Sequence, residues 1–185
     1  MIEQKFCLHT IRPKLWKNGG GQTREIACSL PDEGYWRLSI ADVTQDGPFS
    51  LFAGLSRILT VIEGSGLCLN IAGQTHNFGS LNPIFFSGED ETVSILSDGS
   101  IRGFNLIFDQ HAWRASAIAD CPEYSQTIGT GVSALTAVYC VRGDVLLDDV
   151  ECLTALEGAI CRNFVDSFSG SNDACVLRID LWAIH

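Results

Sequence analysis

Thr60-Val61-Ile62-Glu63-Gly64-Ser65-Gly66 decides the fold of this chain: a hydrophobic strand runs into a charge and a glycine, and a second strand starts at once. The pattern returns as Tyr139-Cys140-Val141-Arg142-Gly143-Asp144. A second echo follows each copy. Ile101-Arg102-Gly103-Phe104-Asn105-Leu106-Ile107-Phe108 resembles Val176-Leu177-Arg178-Ile179-Asp180-Leu181-Trp182. Short β-rich runs with Gly, Pro, Asn or Asp between them fill the rest: Thr23–Cys28, Tyr35–Val43, Asn82–Ser87 and Thr92–Leu96 are examples. No segment keeps a 3.6-residue apolar period over three turns, so the fold class is all-β with little helix.

Two similar halves point to a pair of jelly-roll β-barrels in one chain, a double cupin or bicupin. A single long β-sandwich is the other reading that the pattern allows. The polar, turn-rich stretch around Ala119–Gly131 marks the expected join, giving barrels over 1–120 and 121–185 packed as one globular unit. Counting back from Gly64, the place of a cupin's metal-binding glutamate falls on Arg57, and the histidine places fall near Ser50–Ala53. The last ligand place falls near Glu91. A guanidinium repels a divalent cation, and His9, His76, His111 and His185 form no ligand spacing. The expectation is therefore no metal and no cofactor.

The bulk composition narrows the function classes. Apolar residues make up 46% and charged residues 18%, enough for a real core. The net charge of -10 argues against nucleic acid as a partner, because such partners call for a basic face. No apolar run reaches membrane-spanning length, and no secretory leader is visible at the N-terminus. Eight cysteines without a C-x-x-C pair read as reduced thiols in a cytoplasmic protein. Exposed strand edges make a homodimer an expectation.

The richest local stretch is Trp16-Lys17-Asn18-Gly19-Gly20-Gly21-Gln22-Thr23-Arg24-Glu25-Ile26-Ala27. Its glycines permit unusual backbone angles and close approach, but they lack the spacing of a phosphate loop. Four arginines fall on expected strands: Arg24, Arg37, Arg57 and Arg102. Alternation puts Arg37 on one face with Ser39 and Ala41, and Arg57 with Leu59 and Val61. Two or three of these guanidiniums in one pocket would form a carboxylate clamp. Asn18, Thr23, Ser39 and Asn105 would add neutral hydrogen bonds, and Trp16 and Phe52 would wall off water. The plainer alternative pairs each arginine with a nearby acid, Arg24 with Glu25 and Arg57 with Glu63 or Glu91. Because neighbours on a strand face opposite ways, Arg24 and Glu25 can share a pocket only through a bulge after the glycines.

The chain resembles the HutD/Ves family of bacterial proteins. The resemblance rests on Trp16–Gly21 with Thr23-Arg24-Glu25-Ile26, on Trp36–Ala41, on Gly47–Gly54 with Arg57, on Glu63-Gly64 and on Phe104-Asn105-Leu106. It implies a double cupin barrel and a ligand site among Asn18, Thr23, Arg24, Glu25, Arg37, Arg57 and Asn105. It also implies an association with histidine utilisation or with environmental stress. The expected function is binding of a small anionic, formylglutamate-like metabolite in a regulatory role rather than catalysis. The alternative is a cofactor-independent isomerase or hydrolase acting on a small carboxylate, with Glu25 as general acid or base.

Overall fold

The structure is a computed structural model that describes residues 2–30, 32–120, 134–148, 151–162, 168–171 and 173–184. Most of the join expected around 119–131 lies outside the described residues, as do Cys121 and His185. Apart from one 3-10 turn at Leu8–Thr10, every regular element among the described residues is a strand.

The chain divides into two compact units. One is Arg12–Ala112; the other joins Met1–Ile11 to Trp113–His185. The units therefore depart from the 1–120 and 121–185 division. The reason is backbone pairing. Strand β1 (Ile2–Cys7) zips antiparallel onto β16 (Glu157–Arg162), and β12 (Trp113–Asp120) zips onto β18 (Cys175–Ala183). Both strands at the ends of the first half thus belong to the second sheet system.

In the unit Arg12–Ala112, a six-stranded sheet runs β2 (Lys14–Leu15), β3 (Gly21–Cys28), β4 (Trp36–Val43), β11 (Ile101–Phe108), β6 (Ser56–Glu63), β9 (Ile84–Ser87). A four-stranded sheet runs β5 (Gly47–Pro48), β10 (Thr92–Leu96), β7 (Leu67–Ile71), β8 (Gln74–Phe78). Period-two alternation gives each sheet an inward face. Val43, Leu59, Val61, Ile84, Phe86 and Ile101 from the larger sheet meet Leu67 and Leu69 from the smaller in one core. Each such side chain, fully buried, contributes roughly 1.5–3 kcal/mol of transfer free energy. His76 lies on β8, exposed and stacked on Phe78.

The other unit repeats the plan with different strands. Its five-stranded sheet runs β1, β16, β13 (Leu135–Arg142), β18, β12, and its three-stranded sheet runs β15 (Glu151–Thr154), β14 (Asp144–Leu147), β17 (Phe168–Gly170). Val138, Cys140, Ala159, Cys161 and Val176 pack on Val145, Leu147 and Leu153. Burial pushes the Cys140 thiol up to about 12, as expected of a cysteine packed as a small hydrophobe. Among the described residues no sheet closes on itself, so each unit is a pair of packed open sheets rather than a hydrogen-bonded barrel.

The repeated sequence pattern marks one structural joint used twice. Gly64 ends β6 at φ +102° and Gly143 ends β13 at φ +71°. A Cβ on Gly64 would stand 2.9 Å from Ser100 O, and one on Gly143 would stand 2.8 Å from the Ala174 Cα. Positive φ and a crowded backbone together select glycine at both joints.

Candidate functional site

Strand register lays out the inward face of the six-stranded sheet in rows. Cys28, Arg37, Ile107, Arg57 and Phe86 lie side by side across β3, β4, β11, β6 and β9. The next row is Glu25, Ser39, Asn105, Leu59 and Ile84, and the third is Thr23, Ala41, Gly103 and Val61. The third row grades into the apolar core through Val61, and the first two rows carry the polar groups. Here the sheet lines a cavity of about 640 Å³, within the usual range for small-molecule sites.

Nine of the ten side chains expected at a ligand site line this cavity: Trp16, Asn18, Thr23, Glu25, Arg37, Ser39, Phe52, Arg57 and Asn105. Arg24 does not. It lies on the opposite face of β3, where its Nη1 donates to Asp42 Oδ2 at 2.5 Å. Arg102 donates to Asp42 Oδ1 at 2.7 Å and also pairs with Glu63. Burial pushes the Asp42 carboxyl up, but hydrogen bonds from Arg24, Gln22 and Arg102 outweigh it and bring the pKa down to about 2. A register shift does occur on β3, but between Glu25 and Ala27. It comes one residue too late to turn Arg24 inward.

The hairpin of the glycine run forms one wall. Trp16 Nε1 donates to Thr23 Oγ1 at 2.8 Å, and Asn18 Oδ1 accepts from Gly20 N at 3.0 Å. Gly21 is where the backbone must come close. A Cβ there would stand 2.3 Å from Asp42 O and 3.0 Å from the Trp16 ring. The third glycine thus lets β3 lie against β4 with the indole folded over it.

Arg57 is the electrostatic centre of the cavity. It is 7% exposed, and its guanidinium carbon lies 4.9 Å from the Phe86 ring centre, 5.0 Å from Phe49 and 5.4 Å from Phe52. Its polar contacts are long: Nη2 to Asn105 Oδ1 at 3.4 Å and Nη1 to Ser50 O at 3.5 Å. The same Phe52 ring lies 5.3 Å from the Arg37 guanidinium. Neither arginine pairs with a carboxylate among the described residues, and Nε of both is buried without a hydrogen-bond acceptor. Glu63, offered by the sequence as a partner for Arg57, is taken by Arg102 instead. Burial, and then repulsion from Arg37, brings the Arg57 pKa down to about 10, so it is still charged at neutral pH.

The aromatic box around Arg57 was only partly legible in the sequence. Phe52 was read as a wall, but Phe49 and Phe86 were missed. Phe86 reaches the site only because β9 pairs with β6 opposite Arg57. Arg12, Lys14 and Lys17 at the mouth were missed too, although all the lysines stand early in the chain. Together the lining carries five basic side chains against one acid, Glu25, in a chain of net charge -10. Among the described residues no three His, Cys, Asp or Glu side chains gather as a metal-binding group.

A model of the HutD family matches residues 8–165. The chain belongs to the HutD family. It is 44% identical over 104 residues to an uncharacterised 21.2 kDa Pseudomonas putida protein named for its place 3′ of hutC. That alignment spans 54% of this chain and 55% of the relative, about half of each. Protein Ves of Citrobacter koseri is 33% identical over 159 residues, 83% of this chain and 80% of that one. The solved structure of HutD from Pseudomonas fluorescens SBW25 superposes with a TM-score of 0.84 at 30% identity, covering 98% of this chain and 99% of that one. A bacterial pirin from Escherichia coli shares the fold at a TM-score of 0.71 and 10% identity, with each chain fully covered. The HutD fold is thus an almost purely β fold of cupin type, and the HutD family is associated with the histidine-utilisation locus.

Proposed function

We propose that the cavity binds a small carboxylate metabolite through Arg37 and Arg57, and that the two units are the paired jelly rolls of a bicupin. The observation that carries this reading is the buried Arg57 guanidinium beside Arg37, both without a carboxylate partner among the described residues. Two like charges held together in a poorly solvated place are costly. An anionic ligand relieves that cost, whereas a divalent cation at the same place would raise it. The basic side chains at the mouth favour entry of anions.

The family's link to histidine utilisation makes a formylglutamate-like intermediate the first candidate, with binding serving to regulate flux in the cytoplasm. The enzymatic alternative has less support. Glu25 is exposed, so the burial on which an acid–base role would draw is missing. Isothermal titration of wild type and Arg57→Met with N-formylglutamate tests the reading. Wild type should bind, and loss of the charge-assisted contacts should weaken binding roughly 100-fold or more. Equal affinity in both proteins would overturn it.

A further inference from the structure

The cavity holds opposite charges that do not neutralise each other. Glu25 lines it beside Arg37 and Arg57, yet among the described residues Glu25 makes no ion pair. The rows explain why. Glu25 sits one row and one strand away from Arg37, opposite Ser39. Strands lie about 4.8 Å apart and successive residues on one face about 7 Å apart, so the two Cα atoms are separated by roughly 8 Å. Ser39 and Asn105 occupy the same row as Glu25, facing the arginine row. Ser39 is 2% exposed. The register shift just after Glu25 reverses the alternation, so that Ala27 falls opposite Leu38 and Glu25 is the last residue on β3 before the faces exchange. Bulges beside sites commonly fix the aim of a single side chain in this way.

The polar row next to a carboxylate held by the arginines is Glu25–Ser39–Asn105, which lines the same cavity. A carboxylate side chain there accepts hydrogen bonds and donates none. It therefore favours a ligand with an N–H close to its carboxylate and disfavours one with only C–H or another anion at that place. We propose that Glu25 reads a ligand N–H, so that the site takes α-amino or α-amido acids in preference to plain carboxylic acids. This inference rests on the arginine-clamp reading above and narrows its ligand class.

The test is titration calorimetry with three probes of one carbon skeleton: N-formylglutamate, L-glutamate and glutarate, which lacks the nitrogen. Wild type should bind at least one nitrogen-bearing acid about tenfold or more tightly than glutarate, the size of one charge-assisted hydrogen bond. Glu25→Leu, at an exposed position where folding is tolerant, should bring the probes to within about threefold of each other. Glutarate binding wild type as tightly as the other two would overturn the inference and leave the clamp standing, as would a preference that survives in Glu25→Leu. No binding by any of the three would overturn the clamp and this inference with it.

Discussion

Arg57 in one unit and Thr136 in the other hold the same place on equivalent strands, counted back from the turn glycines Gly64 and Gly143. Their ladder partners correspond as well: Ile107 matches Asp180, and Asn105 matches Arg178. Each unit thus carries a buried arginine at the same part of its inward face, but the two are treated differently. Arg178 donates through Nε and Nη2 to Asp180 at 2.8 and 3.0 Å, and Thr136 donates to the same carboxylate at 2.6 Å. Arg57 has aromatic rings and long neutral contacts instead. The same architecture encloses a satisfied ion pair in one unit and an unsatisfied cation in the other. A buried charge with an internal counter-ion is a structural element. On the reading proposed above, one without it is preorganised for an external anion.

The largest effect should come from making the satisfied unit resemble the unsatisfied one. Asp180→Ala leaves Arg178 buried without its acid and should destabilise the protein by about 3–5 kcal/mol in urea unfolding. Arg57→Met, lacking any counter-ion to strand, should leave ligand-free stability unchanged or raise it. Equal losses for the two variants would break the contrast.

A smaller effect separates the two faces of the six-stranded sheet. Asp42 neutralises Arg24 and Arg102, while Arg37 and Arg57 on the other face have no such acid among the described residues. Its folded-state pKa of about 2 lies below the ordinary 3.8. Its contribution is therefore present above pH 3.8, about 2 kcal/mol, and is lost as pH falls toward 2. Asp42→Asn should be less stable at neutral pH and should lose less on acidification from pH 5 to 2, measured by denaturant midpoints. A wild-type acid profile unaltered by the substitution would place the stabilisation elsewhere.

The smallest effect concerns the ring between the two guanidiniums. Phe52→Leu keeps apolar bulk but removes the π face shared by Arg37 and Arg57. Ligand-free stability should fall by about 1 kcal/mol. No change in the thermal midpoint would mean that packing alone shields these charges.

Much of this was legible in the sequence because alternation and turn chemistry are local. The strands carrying Arg37, Arg57 and Asn105 were readable from period two, and their side chains face one way because the pleat requires it. Strands with weak alternation were not legible. Ile2–Cys7 is half polar, and Trp113–Asp120 is rich in alanine; both are held by their ladders to β16 and β18. The echo between Ile101–Phe108 and Val176–Trp182 is legible as two alternating apolar runs, but only the ladders give its register, pairing Asn105 with Leu59 and Arg178 with Val138. Arg24 enters the expected site as one of four strand arginines and through the family resemblance, on condition of a bulge after the glycines. The position of the β3 register shift, a property of the β3–β4 ladder, sends it to Asp42.

By itself the sequence determined the strand repertoire, the repeated glycine joint and the set of polar side chains available to a cavity, since each depends on residues close together along the chain. Only tertiary structure decided which arginines keep a counter-ion. That outcome depends on whether a paired strand brings a carboxylate alongside, as β4 brings Asp42 to Arg24 and Arg102, or whether aromatic rings arrive instead, as Phe49 and Phe86 do for Arg57.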